Sequence, residues 1–321
     1  MAEKARIGIL ISGRGSNMAA LVYAAKAPGC PYEIVLVASN RPDAPGLTLA
    51  QAEGIATFAH PHKGQSREEH DGIMHDALVE ADAEYVVLAG YMRILSDDFV
   101  ARWSDRMLNI HPSLLPKYKG LDTYQRAIDA GDRMAGCSVH LVTPELDDGP
   151  VLAQTEVAIL PGDDAASLAS RILIAEHQLY PSALARYVTR EADPDWILRQ
   201  IRERALALEE THERASFGAP GWRVGSKTTG KYFAYFAQSH HGEASIALLV
   251  KTTGMDEQAA LIDADPDLYY APKFYGKSGW IAIRLDTGHT DWDHIANWLS
   301  KSWRIVAPKR LTRMVEIADQ F

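Results

Sequence analysis

The chain has 321 residues, 47% hydrophobic and 23% charged, with 23 Gly and 16 Pro; this is ordinary globular composition, long enough for two domains, and it excludes collagen-like, low-complexity and disordered classes. Acids outnumber bases 42 to 33, a net charge of −9, which opposes nonspecific binding to nucleic acid or an anionic membrane and favours small-molecule partners. Only Cys30 and Cys137 occur, outside any CxxC spacing, so neither a disulfide scaffold nor a zinc ribbon is indicated and a reducing, cytoplasmic setting is expected.

The N-terminus leads into an apolar run of about seven residues, too short for a signal h-region with its cleavage site or for a membrane span. From there β-branched runs alternate with helical patterns, the signature of a βαβ parallel sheet. Strands are predicted at Arg6 to Ser12, Tyr32 to Ser39, Ala56 to His60, Tyr85 to Gly90, Met107 to His111, Gly136 to Thr143 and Val151 to Ile159. Helices are predicted notably at Asn17 to Lys26, Arg67 to Ala81 and Ala166 to Tyr187. The last two strands are joined by a loop too short for a helical crossover, which makes that edge antiparallel. The expected fold is α/β: a mostly parallel, Rossmann-like sheet with an antiparallel edge, followed by a small α+β domain.

Residues 1–199 carry 18 basic and 27 acidic side chains, whereas residues 200–321 carry 15 of each, together with 15 of the 27 aromatics and five of the seven Trp. Two separately built cores follow from that asymmetry. The polar, Pro-containing Thr189 to Asp195 stretch separates them, and the domains are drawn as 1–192 and 193–321. The second opens with a helix at Trp196 to Glu210 and continues with strands at Tyr232 to Ala237, Ala244 to Lys251 and Trp280 to Asp286. Helices near Asp256 to Asp263 and, as the last element, at Trp292 to Ser302 complete one small sheet with helices on one face.

Ser12-Gly13-Arg14-Gly15-Ser16-Asn17 follows the first strand and opens the first helix. Backbone amides and a helix N-terminus there can face an anion, and Ser16 and Asn17 can add side-chain donors. Met18 stands where G-x-G-x-x-G needs its third Gly, and the second strand ends Ser39-Asn40-Arg41 rather than on an acid for a ribose diol, so a compact phosphomonoester suits the turn better than a dinucleotide. Gly225 to Lys231 has Walker spacing but runs into a strand, and Gly276-Lys277-Ser278 has Ala271 where the first Gly belongs; neither reads as a P-loop.

The stronger constellation is Asn109-Ile110-His111-Pro112-Ser113-Leu114-Leu115-Pro116 at the C-terminal end of a predicted strand, where open α/β sheets collect ligands. Alternation puts Asn109 and His111 on one face about 6.5 Å apart. An amide donor beside a titratable imidazole can stabilise an oxyanion and shuttle a proton. Asp147, in Glu145-Leu146-Asp147-Asp148-Gly149-Pro150, is the candidate third member, since a carboxylate fixes an imidazole's tautomer and raises its pKa; Asp-Gly-Pro is also turn chemistry. His60, His62, His70 and His75 have spacings that suit no single ligand face and are assigned to surface or loop.

In order, the SGRGSNM turn, LAGYMRIL (Leu88 to Leu95), NIHPSLLP, ELDDGP and Ala175-Glu176-His177 resemble the phosphoribosylglycinamide formyltransferases over residues 6–188. The resemblance implies transfer of a formyl group from 10-formyltetrahydrofolate to the amine of glycinamide ribonucleotide, without a metal. Its catalytic triad falls on Asn109, His111 and Asp147. Its ribotide and phosphate residues fall on Gly15, Ser16, Asn17 and Glu176, and its folate cleft on Arg67, Met92, Arg93, Ile94, Leu95, Thr143, Pro144, Glu145 and Leu146. Three departures stand out: Asp122-Thr123-Tyr124 where the family often has His-Thr-His, Asp148 in place of a common Gly, and Leu173 in place of a polar residue toward the ribotide.

Residues 203–311 are similar to the MmcQ/YjbR-like domains, through Arg204 to Leu208, Phe217-Gly218, Trp222 to Gly225, the Tyr232 strand and Tyr270 to Trp280. That family is sometimes suggested to bind DNA. Zero net charge in this segment opposes the suggestion, and Trp222, Trp280, Trp298 and Trp303 read as core. The rival readings of the whole chain are a formyltetrahydrofolate hydrolase, and a nucleic-acid-binding or scaffolding protein with a degenerate enzyme domain. A tRNA formyltransferase would need a basic C-terminal domain. The oligomeric state is left open.

Overall fold

The β-branched run after the N-terminus forms β1 (Ala5–Ile11) in the computed structural model, which describes residues 4–216, 218–227, 229–238, 245–286 and 290–318. Contacts divide the chain between Val188 and Thr189 into two compact units.

In the first unit β1 is followed by α1 (Ser16–Ala25), β2 (Tyr32–Ser39), α2 (Pro45–Ala52), β3 (Thr57–Ala59), α3 (Arg67–Glu80), β4 (Tyr85–Leu88), α4 (Asp97–Arg102), β5 (Met107–His111), α5 (Thr123–Asp129), β6 (Met134–Leu141), β7 (Val151–Ala158) and α6 (Ala165–Val188). The sheet order is β3-β2-β1-β4-β5-β6-β7. Pairing is parallel through β5 and antiparallel at β5·β6 and β6·β7; the short loop predicts the β6·β7 pairing alone, and β6 also runs antiparallel to β5 although α5 lies between them in the chain. Alternation splits the apolar strand residues between two faces. Ile7, Ile9 and Ile11 pack with Met18, Leu21 and α6, whereas Leu10 packs with Met74 and Leu78 of α3 and Phe99 of α4.

Helices on both faces leave the C-terminal ends of β1, β2, β4 and β5 at one edge, so Ser12, Asn40, Tyr91 and His111 sit on neighbouring strand ends. The Tyr180 hydroxyl of α6 lies 3.0 Å from both the Leu88 and the Leu108 carbonyl, tying that helix to β4 and β5 beside this edge.

The second unit holds α7 (Pro194–Leu206), β8 (Thr211–Glu213), β9 (Gly221–Val224), β10 (Lys231–Gln238), β11 (Ile246–Lys251), α8 (Met255–Ala264), β12 (Tyr269–Tyr270), β13 (Trp280–Arg284), α9 (Trp292–Val306) and α10 (Lys309–Ala318). Its sheet runs β12-β13-β11-β10-β9-β8, antiparallel at every pair. Trp222, Phe233, Leu248 and Ile283 meet α7 and α9 on one face, and the intervening Leu249, Trp280 and Ala282 lie on the other. Trp222, Trp280, Trp298 and Trp303 are buried. The helix at Trp292 is not the last, since α10 follows it after Pro308. Phe217, Thr228 and Ala244 lie outside the described residues.

Candidate active site

His111, the last residue of β5, is 5% exposed. Its Nδ1 lies 3.3 Å from Asp147 Oδ2, and its Nε2 lies 2.9 Å from the Tyr118 carbonyl. A carbonyl only accepts, so Nε2 carries a hydrogen and Nδ1 faces the carboxylate. A neutral ring satisfies one of these acceptors and an imidazolium satisfies both, which is the arrangement of a group that carries a proton. Burial nevertheless pushes the His111 pKa below the ordinary imidazole value, against the upward pull of the Tyr118 carbonyl and Asp147.

Asp147 sits at a positive φ of 50° in the β6–β7 loop, a conformation that a small side chain with local hydrogen bonding tolerates. The Gly120 N–H donates to its Oδ2 at 2.9 Å. Burial alone would raise this carboxyl; the His140 ring, the Gly120 N–H and His111 outweigh it and hold the group below its usual value. Gly149, two residues on, packs so tightly that a Cβ would lie 1.9 Å from the Leu141 carbonyl oxygen, which pins the loop against the end of β6.

Sequence reasoning missed His140. The antiparallel register places it directly opposite Asn109, and its Nε2 lies 3.1 Å from Asn109 Nδ2. His140 Nδ1 donates to the Leu141 carbonyl at 2.8 Å, so a neutral ring accepts the Asn109 amide hydrogen at Nε2, and only a charged ring presents an Nε2–H to Asp147. This contact orients Asn109 and uses one of its two N–H groups. His140 Nε2 is also 3.6 Å from Asp147 Oδ1, so Asn109, His111, His140 and Asp147 form one cluster.

At the end of β1, separated from β5 by β4, Gly15 precedes α1 with φ 73°; a Cβ there would come within 2.8 Å of Met18 Cε and 3.1 Å of Gly46 Cα, so glycine is required twice over. The first amides of α1 have no intrahelical partner. The Asn17 side chain reaches α6: Nδ2 donates to Glu176 Oε2 at 2.7 Å, which uses one of its two N–H groups, while its Oδ1 is buried without a partner. This bond joins the turn to α6. Burial raises the Glu176 pKa against the lowering effect of Asn17. Tyr124, one of the three departures, is close enough to feel Glu176: burial first, then that charge, pushes its phenol up.

Along the expected folate stretch, Met92 and Ile94 are 74% and 60% exposed, whereas Leu95 is buried. The Met92 N–H donates to Ser12 Oγ at 2.8 Å, and Arg93 donates to the Ser66 carbonyl at 3.1 Å. Arg67 is exposed at the first turn of α3. Thr143 Oγ bonds the Glu145 carbonyl at 3.3 Å, Pro144 and Glu145 are exposed, and Leu146 also faces solvent. Leu173 is half-buried on α6. Asp148 forms an ion pair with Lys119.

His70 is not at the surface. It lies on the inner stripe of α3 with Met74 and Leu78, its ring 5.8 Å from that of His60 and 6.2 Å from that of His62. Among the described residues no group of three His, Cys, Asp or Glu could hold a metal ion, and no helix is long and apolar enough to cross a membrane.

Comparison with known proteins is consistent with this geometry. The formyl transferase profile matches residues 5–184 and the YjbR profile residues 206–305. The phosphoribosylglycinamide formyltransferase of Escherichia coli K12 is 44% identical over 181 residues, 56% of this chain and 85% of that protein. The human trifunctional purine biosynthetic protein adenosine-3 is 42% identical over 183 residues, 57% of this chain but 18% of its own length; the chain spans less than a fifth of such trifunctional relatives. The crystal structure of phosphoribosylglycinamide formyltransferase from Brucella melitensis superposes with a TM-score of 0.56 at 52% identity, covering 58% of this chain and 96% of that one. With that match over more than half its length, and a YjbR domain behind it, the chain belongs to the formyl transferase family.

Proposed function

We propose that the first unit transfers the formyl group of 10-formyltetrahydrofolate to the amine of glycinamide ribonucleotide in purine synthesis. The observation that carries this is the His111–Asp147 pair at 3.3 Å, held beside Asn109 on the same strand-end edge of the sheet that carries the Gly15 to Asn17 turn. As the amine nitrogen attacks the formyl carbon, negative charge develops on the formyl oxygen. The second N–H of Asn109, the one His140 does not take, is the donor for it. The attacking nitrogen must lose a proton and the folate N10 must gain one as the carbon–nitrogen bond breaks. His111 carries that proton, with one of its two present contacts exchanged for substrate. Asp147 holds the ring and stabilises its charged form.

The free amides at the start of α1 receive the ribotide phosphate, and Glu176, tied to Asn17, faces the ribotide side. Arg67, the Met92 to Leu95 stretch and the Thr143 to Leu146 loop receive the folate. These roles rest on position and on similarity to the family. The test is to incubate the full chain with 10-formyltetrahydrofolate, with and without glycinamide ribonucleotide, and to follow deformylation and the formylated ribotide. Ribotide-dependent turnover supports the reading. Equal turnover without the ribotide would make the protein a hydrolase instead.

A further inference from the structure

The segment between β4 and α4 has no regular structure from Gly90 to Leu95, yet it presents Met92 and Ile94 outward. A loop that offers apolar side chains to a ligand must be held by something other than its own hydrogen-bond ladder. Its leading end is held by Ser12, which takes the Met92 N–H and in turn donates to Asn40 Oδ1 at 2.6 Å. Its trailing end is held by Asp71 of α3. The Ser96 N–H donates to Asp71 Oδ2 at 2.6 Å, and Ser96 Oγ caps α4 by accepting the Phe99 N–H at 3.3 Å. Asp71 is 1% exposed. Its second oxygen has no hydrogen bond and faces Arg93 Nε at 3.9 Å and His70 Nδ1 at 3.5 Å.

A carboxylate buried on the inner face of a helix is expensive unless it is paired. For packing against the sheet an apolar residue would serve α3 better, as Met74 and Leu78 do farther along the same helix. What the carboxylate adds is a short charge-assisted bond to one backbone N–H of the loop and a field that draws the Arg93 guanidinium inward, where it also meets the Ser66 carbonyl.

We infer that Asp71 is a positioning residue for the folate cosubstrate: it fixes the backbone of Met92 to Ser96 in the shape that receives the ligand, and it touches neither the reacting atoms nor the ribotide side. The inference rests on the assignment of the folate to the Met92 to Leu95 stretch. A merely structural aspartate would, when removed, weaken both substrates together; a positioning one splits them.

The experiment is titration calorimetry of the full chain with 5-formyltetrahydrofolate, whose formyl group sits on the wrong nitrogen for transfer, and separately with glycinamide ribonucleotide. Asp71→Ala is expected to raise the folate Kd by about tenfold or more while the ribotide Kd stays within about twofold. Asp71→Asn keeps an oxygen for the Ser96 N–H but loses the charge that draws Arg93, and should weaken the folate by about threefold; it stands in if the alanine variant does not fold. An unchanged folate Kd in a folded variant, or parallel loss of both ligands, overturns the inference. Wild-type turnover is scored separately. A protein that binds folate but transfers nothing to the ribotide defeats the proposed reaction and leaves the Asp71 comparison readable, and one that binds no folate defeats both.

Discussion

Lys119 pairs with Asp148, and the next residue on the same side, Gly120, gives its backbone N–H to Asp147 at 2.9 Å. Two adjacent residues of one loop thus grip two adjacent residues of another. The extra negative charge of Asp148, placed where it would disturb His111, is answered by a cation of its own.

Asp148→Gly should therefore have a small effect. Both partners of the ion pair are partly exposed, and such pairs contribute about 0 to 1 kcal/mol. Turnover should fall by less than about fivefold at low salt, and the difference should narrow as added salt screens the pair. Steady-state kinetics at two ionic strengths decide it; a loss approaching that of an Asp147 variant would mean that the pair, rather than Gly120, sets the loop.

His111→Ala and Asp147→Asn should each lower kcat by about 100-fold to 10,000-fold while folate binding holds. The residual activity of Asp147→Asn carries a pH signature. The His111 pKa is already lowered by burial, with Asp147 pulling it up. Removing that carboxylate charge lets it fall further, so the acid limb of the kcat/KM profile moves to lower pH. A limb that moves upward would contradict the assignment of His111 as the titrating group.

His140→Ala should lower kcat by about tenfold without raising either KM, because it frees the Asn109 amide that must point at the developing oxyanion. Both KM values are measured alongside kcat. Unchanged kcat in a folded variant would reduce His140 to a packing residue.

The way these groups became visible explains what was legible. Asn109 and His111 stand out because a strand places alternate residues on one face, and Asp147 because its loop follows the paired strand. His140 was hidden: its meaning comes from the Asn109–His140 register between antiparallel strands, which no local pattern encodes. His70 is legible in its four-residue steps to Met74 and Leu78, which define a buried stripe on α3 and which the count of neighbouring histidines obscures. The short α2, α4 and α5, and the strands β8, β9 and β12, escaped notice because six to eight residues, or two to four, hold too little periodicity and are stabilised by what they pack against. Asn17 and Glu176 are grouped in the sequence only through the family resemblance; their direct bond comes from the packing of α6 against α1.

Glu176→Gln should stabilise the protein at neutral pH and harm its chemistry. Burial raises this carboxyl above its ordinary value. With a raised folded pKa, its contribution to stability is fully present below the ordinary carboxylate range of about 4.3 and is lost as pH rises through the folded value, because the native state must then bury a charge that the unfolded chain hydrates. Glutamine keeps the oxygen that accepts from Asn17 and removes the penalty. Melting temperatures of variant and wild type should converge toward the acid side and separate, with the variant higher, as pH rises toward neutrality. The ribotide KM should rise meanwhile. A variant less stable at every pH would show that the charge is compensated by a contact other than Asn17.

Separating the units should leave the chemistry in the first. All triad and turn residues precede Val188, where the first unit ends, and each unit has its own apolar clusters. The cut belongs before Thr189 rather than farther on: Asp193 caps α7 by accepting the Asp195 N–H at 2.9 Å, and the Arg190 guanidinium lies 5.6 Å from the Trp196 ring centre, so these residues serve the second unit. Residues 1–188 should formylate, and residues 189–321 should fold and bind DNA weakly. Nonspecific affinity comes from cations free to neutralise phosphates. Among the basic residues of the second unit, Lys301 is paired with Glu257 and Arg310 with Glu210, which leaves Lys273, Lys277 and Lys309 as candidates for a phosphate-binding face. Activity of the first fragment and a DNA titration of the second at physiological salt are the measurements. A folded but inactive first fragment would mean that the second unit completes the enzyme, and submicromolar DNA binding would mean that the remaining lysines, or the aromatic face around Tyr235 and Trp280, do more than pack.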